Sequence, residues 1–304
     1  MTPSSAAAPA ISVIIVTFNG RDLVRACLAT VGAALAPRGG EVIVVDNGSA
    51  DGTPEMIAAE FPDVRLLATG ENLGFAAGNN RGLPFAGGDV IVFLNPDTEP
   101  APGSLSRLAG ALDADPTLGI VGPRLVNGDG SLQPSVRGFP SVAASVIVLL
   151  KLHRVSRWLP PVARYDAAGF DYDRPGDVEQ LMGACLALPR RVVERLAGFD
   201  ERFWMWFEEV DLCLRVRQAG LRVRYLPDAI VLHRLNQSAV LLHSVFTQRR
   251  YADSLVKFFA KHHPAWQAGL LRSVAWVGVA AAQVVQAGRR LGDRSGTKYR
   301  IRST

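Results

Sequence analysis

A doubly wound α/β sheet is the fold that the sequence predicts, and three observations predict it. Short β-branched runs alternate with helix-like segments through the first third of the chain. Those runs are apolar at nearly every residue, and polar turn-formers follow them directly. Near-continuous apolar strands belong in a parallel sheet covered on both faces. Alternation of strand and helix supplies the crossovers such a sheet requires.

Taken in order, residues 11–18 (ISVIIVTF), 41–46 (EVIVVD), 64–68 (VRLLA) and 89–95 (DVIVFLN) are the predicted strands. RDLVRACLATVGAAL and TPEMIAAEF are the helices between them, the second with Thr53 as N-cap and Pro54 in the first helical position. Further on, residues 180–191 (QLMGACLALPRR) predict another strand, in which Gly183 and Ala184 leave space beside the backbone. The stretch FWMWFEEVDLCLRVRQAG, residues 203–220, sets three carboxylates between an aromatic run and an amphipathic helical pattern. VFTQRRYADSLVKFFAKHHP predicts an amphipathic helix that stops at its proline.

The chain has 304 residues, 48% hydrophobic and 20% charged, which supports a well-buried core and excludes a disordered chain. Its net charge of +5 is unevenly placed. From residue 261 onward there are eight Lys and Arg against one acid, whereas the rest holds 25 basic and 27 acidic residues. The positive excess therefore lies in the tail, where it points to an anionic partner such as a membrane surface. A nucleic-acid partner is not implied. Cys27, Cys185 and Cys213 are far apart and odd in number, so neither a disulfide framework nor a structural zinc site is expected, and a reducing compartment fits. Residues 1–10 lack the basic and apolar regions of a signal peptide and are expected to be a disordered lead.

In doubly wound sheets ligands bind beyond the carboxyl ends of the strands. Here those ends are Thr17-Phe18-Asn19, Asp46-Asn47-Gly48-Ser49 and Asn95-Pro96-Asp97. Each could be an ordinary turn, and Asn19 could simply cap the following helix, but three polar ends on one edge imply a polar cleft. GxxxxGK[ST] and GxGxxG are both absent, which removes the phosphate cradles of P-loop and dinucleotide-binding proteins. Asp51-Gly52-Thr53 weakly resembles the phosphoaspartate motif of dehalogenase-type phosphatases, although NGSA separates it from its strand. The acids Glu208, Glu209 and Asp211 have a bland explanation too, since negative charge is favoured in the first turn of a helix.

SVIIVTFNG, VIVVDNGSADGT, ENLGFAAGNNRG, VIVFLNPDTEP, LMGACLALPRRVVERLAGFDERFWMWFEEVDLCLRVRQAG and AIVLHRLNQS, in that order, resemble the family 2 inverting glycosyltransferases of GT-A fold. From ENLGFAAGNN onward the likeness is greatest to the rhamnosyltransferase-like branch. The resemblance covers about residues 11–238, implies a mixed, mainly parallel sheet with helices on both faces, and leaves residues 239–304 as a C-terminal helical segment with a basic tail.

The resemblance also implies roles. Thr17, Asn19 and Asp46 would hold the nucleobase and ribose of a nucleotide-sugar donor, with Asn72, Gly74, Asn80 and Asn95 lining the donor side. Asn95-Pro96-Asp97 takes the place of the DxD motif, so Asp97 is its one anionic ligand for Mg²⁺ or Mn²⁺, with His233 as a second ligand favouring Mn²⁺. Glu209 falls on the general base of the ED motif, as Glu in place of the usual Asp. Trp204 and Trp206 would be platforms for the acceptor sugar, with Glu208 and Asp211 beside them. At helical spacing Glu208 and Asp211 share a face and Glu209 points elsewhere, while Asp211 and Arg215 can pair one turn apart.

The implied reaction is an in-line displacement with inversion at the anomeric carbon of a dTDP-rhamnose or UDP-sugar donor, the latter including UDP-hexose and UDP-galactofuranose. The implied acceptor is a lipid-linked or cell-envelope glycan. The other reading is a non-catalytic nucleotide-sugar or glycan-binding protein, kept open by Asn95. Residues 273–288 are uncharged but short of the ~20 residues of a spanning helix, so an interfacial helix on an anionic membrane is expected, with a homodimer contact as the alternative. GFPSVAASVIVLL is a second apolar run for the same surface. The expected location is cytoplasmic, peripheral on the inner face of the cytoplasmic membrane.

Overall fold

The computed structural model describes residues 10–152, 156–234 and 245–279. The four predicted strands form as β1 (Ile11–Thr17), β2 (Gly40–Asp46), β3 (Arg65–Ala68) and β4 (Val90–Leu94). Between them lie α1 (Arg21–Leu35), α2 (Thr53–Glu60) and α3 (Phe75–Gly82). The chain continues through β5 (Thr98–Pro100), α4 (Ser104–Ala114), β6 (Leu118–Val126), β7 (Leu132–Gln133), β8 (Val136–Arg137), α5 (Val142–Leu149) and α6 (Pro160–Tyr165). Then follow β9 (Gly176–Val178), β10 (Gln180–Leu181), β11 (Cys185–Pro189), α7 (Arg190–Leu196), α8 (Glu208–Gln218), β12 (Arg222–His233) and α9 (Val245–His262).

The main sheet runs β3-β2-β1-β4-β11-β6-β12-β5. Parallel pairing joins β3, β2, β1 and β4, and β6 with β12, whereas β11 and β5 run antiparallel to their neighbours. The sheet is therefore mixed and mainly parallel. Alternate residues of β1 explain its continuous apolar run. Ile11, Val13 and Ile15 pack with Val24, Leu28, Val31 and Leu108 of α1 and α4, while Ile14 and Val16 pack with Ala76, Leu212 and Val216 of α3 and α8. Helices cover both faces, and every β1 side chain is buried.

Three local expectations need correction. The strand expected at 180–191 is broken: Met182 N–H donates instead to Ser135 O (2.8 Å), which places β10 in a small sheet with β8 and leaves β11 in the main one. Arg190 and Arg191 already belong to α7, behind Pro189. The N-cap of α2 is Gly52, at φ 82°, with Thr53 buried just inside and its hydroxyl on Asp51 Oδ1. Asn19 does not cap α1 either. That N-cap is Gly20, and the amide of Arg21 donates to Asp51 Oδ2 (3.0 Å).

Contacts divide the described residues into two units. One takes 10–139 and 164–234, which holds every predicted site residue; the other takes 140–152, 156–163 and 245–279. In the second unit α9 is followed by Pro264 and a further helical stretch, 265–279. A β-carbon at Gly278 would stand 2.8 Å from Leu149 O, so this stretch packs closely on the end of α5. No helix among the described residues is long and apolar enough to cross a membrane.

Candidate active site

Strand register brings the polar ends together. Thr17 pairs with Asp46, Asp46 with Ala68, and Ile15 with Leu94, so the residues after β1, β2 and β4 share one edge of the sheet. Antiparallel β11 begins where β4 ends, with Cys185 opposite Leu94, and this brings Gly183-Ala184 to the same edge. The far end of β12 arrives there through His233, which pairs with Thr98.

At the ends of β1 and β2, Asp46 Oδ2 accepts hydrogen bonds from the amides of Gly48 (3.1 Å) and Ser49 (2.9 Å). Its Oδ1, together with Thr17 Oγ1 and Asn47 Oδ1, is buried without a partner. Buried polar atoms are normally hydrogen-bonded, so three orphaned oxygens at the adjoining ends of two strands are suited to a polar ligand. Asn19, at φ 48°, ties the two loops together: its amide donates to Ser49 Oγ and its Oδ1 accepts from Ala50 N–H, both at 2.8 Å. Both oxygens of Asp51 are engaged by Arg21 and Thr53, which leaves it a loop brace rather than a nucleophile.

The ENLGFAAGNN segment is held by its own side chains. Asn72 Oδ1 accepts from Gly74 N–H (3.0 Å), and Asn47 Nδ2 donates to Gly74 O (3.0 Å). Gly74 lies at φ 84°, and any β-carbon there would collide with the backbone of Trp204, whose carbonyl accepts from Phe75 N–H at 2.8 Å. The close approach expected of this glycine is thus made to the aromatic loop. Asn80 bridges to the same loop, donating to Phe199 O and Glu201 Oε1 and accepting from Phe199 N–H. Phe199 packs in turn against Phe75 and Phe93.

After β4, Asn95 N–H donates to Ala184 O (2.9 Å), and its Oδ1 is buried without a partner. Asp97 is buried, with Oδ1 3.3 Å from His233 Nε2. His233 Nδ1 is 2.7 Å from Gln133 Oε1, while its Nε2 has no hydrogen-bond partner. A carboxylate oxygen and an orphaned imidazole nitrogen facing each other fit a divalent cation. Among the described residues there is no cluster of three or more His, Cys, Asp or Glu for a metal, so these two would be its protein ligands here.

The acids lie at the start of α8, behind Trp206 and Phe207, both with left-handed backbones at φ 64° and 71°. Such positions are strained for residues other than glycine and accumulate at functional sites. Trp204 and Trp206 are partly exposed, Phe203 and Phe207 buried. Asp211 has no exposed surface and pairs with Arg215 Nε at 2.6 Å; Arg215 also donates to Leu196 O and Gly198 O. Glu208 is buried and Glu209 partly exposed, each with an unpartnered Oε2. Burial raises the Glu209 carboxyl above its ordinary range. Glu208 is pushed well above it by burial and then by the charge of Glu209. Glu209 lies against Gly183, where a β-carbon would be 3.3 Å from its Cβ and 3.8 Å from its carboxyl carbon. Gly183-Ala184 thus connects Glu209 with Asn95 and the Asp97–His233 pair. Gln133 and Ser135, which has a buried unpartnered hydroxyl, also reach this region. Neither stands out in the sequence, because each meets the site only through pairing between distant strands.

A mixed sheet with a polar edge holding an acidic helix start and an Asp-His pair is the framework of a GT-A glycosyltransferase. Two solved structures share the fold. The mannosyltransferase PcManGT from Pyrobaculum calidifontis, in complex with GDP-Man and Mn²⁺, has a TM-score of 0.56 at 22% identity, over 96% of this chain and 81% of that one. GalNAc-T7 with UDP, GalNAc and Mn²⁺ has a TM-score of 0.58 at 15% identity, over 90% and 55%. The model of glycosyl transferase family 2 matches residues 12–161, and that of the N-terminal domain of galactosyltransferase matches 164–237. The N-acetylglucosaminyl-diphospho-decaprenol L-rhamnosyltransferase of Mycobacterium tuberculosis is 32% identical over 86% of this chain and 87% of its own. The pre-mycofactocin glycosyltransferase of the same organism is 32% identical over 64% and 38%. The chain belongs to the family 2 glycosyltransferases.

Proposed function

We propose that this glycosyltransferase moves a sugar, rhamnose in the favoured reading, from a nucleoside-diphosphate donor to a hydroxyl of a lipid-linked glycan, with inversion. The observation that carries the reading is the Gly183-Ala184 bridge, which sets the Glu209 carboxylate beside the strand edge bearing Asp97 and His233. The rhamnosyltransferase of M. tuberculosis supports the choice of sugar and acceptor.

In this reading Thr17, Asp46 and Asn47 offer their unpartnered oxygens to the donor's nucleoside, with Asn19 and Asn72 shaping the loops around it. Asp97 and His233 would hold Mg²⁺ or Mn²⁺, which when bound neutralises charge on the leaving diphosphate. Glu209 takes the proton from the attacking hydroxyl. A carboxylate raised by burial is a better base near neutrality than an ordinary one, and burial raises both Glu208 and Glu209, Glu208 the further. Trp204 and Trp206 flank the acceptor sugar.

The second unit suits an acceptor carried in a membrane. In 265–279, Ala268, Leu271 and Ala275 are buried, while Trp266, Leu270, Trp276 and Val277 are exposed. Exposed tryptophans ahead of the basic residues of the tail fit the interface of an anionic bilayer. Residues 280–304, with most of that charge, lie outside the described residues.

The test is a thermal-shift series with UDP and dTDP sugars, with and without Mn²⁺, followed by transfer to a polyprenyl-diphosphate-linked glycan. Ligands that bind the native state raise its melting temperature. Stabilisation by dTDP-rhamnose and transfer with an inverted anomer are expected. Preference for a UDP-sugar would reassign the donor, and binding without transfer to any acceptor would favour a non-catalytic sugar-binding protein.

A further inference from the structure

The Asp97–His233 pair poses a question of protons. A carboxylate oxygen only accepts hydrogen bonds, so the nitrogen facing it, His233 Nε2 at 3.3 Å, either carries a hydrogen toward Asp97 or presents a lone pair beside it. Only the lone pair can bind a cation. In the neutral ring, which form exists is decided at the other ring nitrogen.

That decision can be traced outward through four residues of the β6–β7 hairpin. Gln133, at its end, is buried in β7 opposite Leu125, and the turn is closed by Asn127 and Ser131 around Gly130, at φ 80°. Asp129 Oδ1 accepts from the Ser131 hydroxyl (2.6 Å) and amide (3.0 Å). The one hydroxyl hydrogen of Ser131 is therefore used, and its oxygen must accept from Asn127 at 2.9 Å, so Asn127 turns its NH₂ to Ser131 and its Oδ1 inward. That oxygen needs a donor, and Gln133 Nε2 supplies it at 2.9 Å while also donating to His233 O at 3.3 Å. Gln133 Oε1 then faces His233 Nδ1 at 2.7 Å, and only an Nδ1–H satisfies it. Reversing Asn127 would set its oxygen against the Ser131 oxygen and its NH₂ against that of Gln133, and reversing Gln133 would set its oxygen against both Asn127 Oδ1 and His233 O. The orientation thus follows from the Asp129 carboxylate at the outer end of the series, which can only accept.

We propose that Asp129, Ser131, Asn127 and Gln133 form a one-way hydrogen-bond relay that holds the neutral His233 ring as its Nδ1–H tautomer, with the Nε2 lone pair turned toward Asp97 for a divalent cation. The inference rests on the reading of His233 as a ligand in the proposed glycosyl transfer. Gln133 is a positioning residue in it and touches neither substrate nor cation. The relay also accounts for a polar chain through a buried strand end: neutral imidazole in water favours the Nε2–H form, which would point a hydrogen at the cation site. Outer partners of this kind are commonly worth 10- to 100-fold in metal affinity.

The test reads the tautomer itself. ¹⁵N-histidine NMR of the full chain, metal-free at pH 8 and assigned with a His233→Asn variant, should show a protonated Nδ1 and an unprotonated Nε2 at His233. In Gln133→Met the proton should move to Nε2, and Mn²⁺ alone, titrated by electron paramagnetic resonance, should bind about 10- to 100-fold more weakly. Ser131→Ala, a surface change, should let a measurable Nε2–H fraction appear by freeing Asn127 to turn. An Nε2–H form in the wild type, or an unchanged tautomer in Gln133→Met or in Ser131→Ala, overturns the relay. If Gln133→Met does not fold, the wild-type and Ser131→Ala spectra decide alone. Failure of glycosyl transfer with the tautomers as stated would sink the functional reading and leave the relay standing; the reverse outcome would do the opposite.

Discussion

Glu209 rests against Gly183: a β-carbon on the glycine would stand 3.3 Å from the Cβ and 3.5 Å from the Cγ of the glutamate. The backbone at Gly183 lies outside the left-handed region, so alanine is conformationally allowed there, and the glutamate side chain must yield by a few tenths of an ångström. Gly183→Ala should therefore displace the carboxylate more than it disturbs the fold. Turnover is expected to fall about tenfold to a hundredfold, since small misplacements of a reacting group are costly, with little change in melting temperature. A large stability loss at unchanged turnover would show that the glycine serves packing alone.

Glu209→Gln keeps the shape and removes the base. The expected loss is roughly 10² to 10⁴ in turnover, with donor affinity nearly unchanged, measured by single-turnover transfer and by calorimetric donor binding. An active Glu209→Gln enzyme would move the base elsewhere on this edge.

Asp211 has a different task, and its burial changes the size of the effect. Read as a surface pair one turn apart, Asp211 and Arg215 would stabilise by only about 0.5 kcal/mol. The carboxylate is in fact wholly buried at 2.6 Å from Arg215, whose other nitrogens hold the carbonyls of Leu196 and Gly198. Removing one partner of a buried pair leaves the other uncompensated, at a cost of about 3 to 5 kcal/mol. Asp211→Asn should lower stability in urea by an amount in that range, with residual activity tracking the folded fraction.

Legibility followed the range of the interactions. The four strands and helices α1 and α2 were readable because their apolar patterns are local, whereas α3 and the caps Gly20 and Gly52 were not. The insertion of β11 between β4 and β6 was not, since it depends on Leu94 pairing with Cys185, 91 residues on. Asp97 and Glu209 stood out through resemblance to family motifs. Gln133 carried no such mark, and its contact with His233 spans 100 residues. The break at Gly183 was hidden for the same reason, because Met182 is drawn off by Ser135.

Membrane attachment can be tested through the tail. Deleting residues 265–304 removes Trp266, Leu270, Trp276 and Val277 with most of the basic excess, and should abolish binding to vesicles rich in anionic lipid. For the full chain, binding should weaken as salt rises, because screening shortens the reach of the charge. Equal sedimentation of both proteins with vesicles would refute the assignment, and concentration-dependent dimerisation of the full chain alone would assign this face to a second copy.

The last prediction concerns Glu208, whose carboxyl is raised well above its ordinary 4.5 by burial and by the neighbouring Glu209 charge. Between that ordinary value and the folded one, the unfolded chain has lost this proton while the native chain still holds it. The native state then binds more protons, and stability falls as pH rises. Glu208→Gln removes the titration and keeps a side chain of the same size, as the protonated carboxyl is already neutral. Below pH 4 the two proteins should have nearly the same stability. As pH climbs from about 4.5 toward neutrality, wild type should lose stability steadily relative to the variant. Urea melts at intervals from pH 4 to pH 8 measure the difference directly. A gap that stays constant with pH, or one in which wild type gains on the variant, would show that Glu208 is ionised in the native protein.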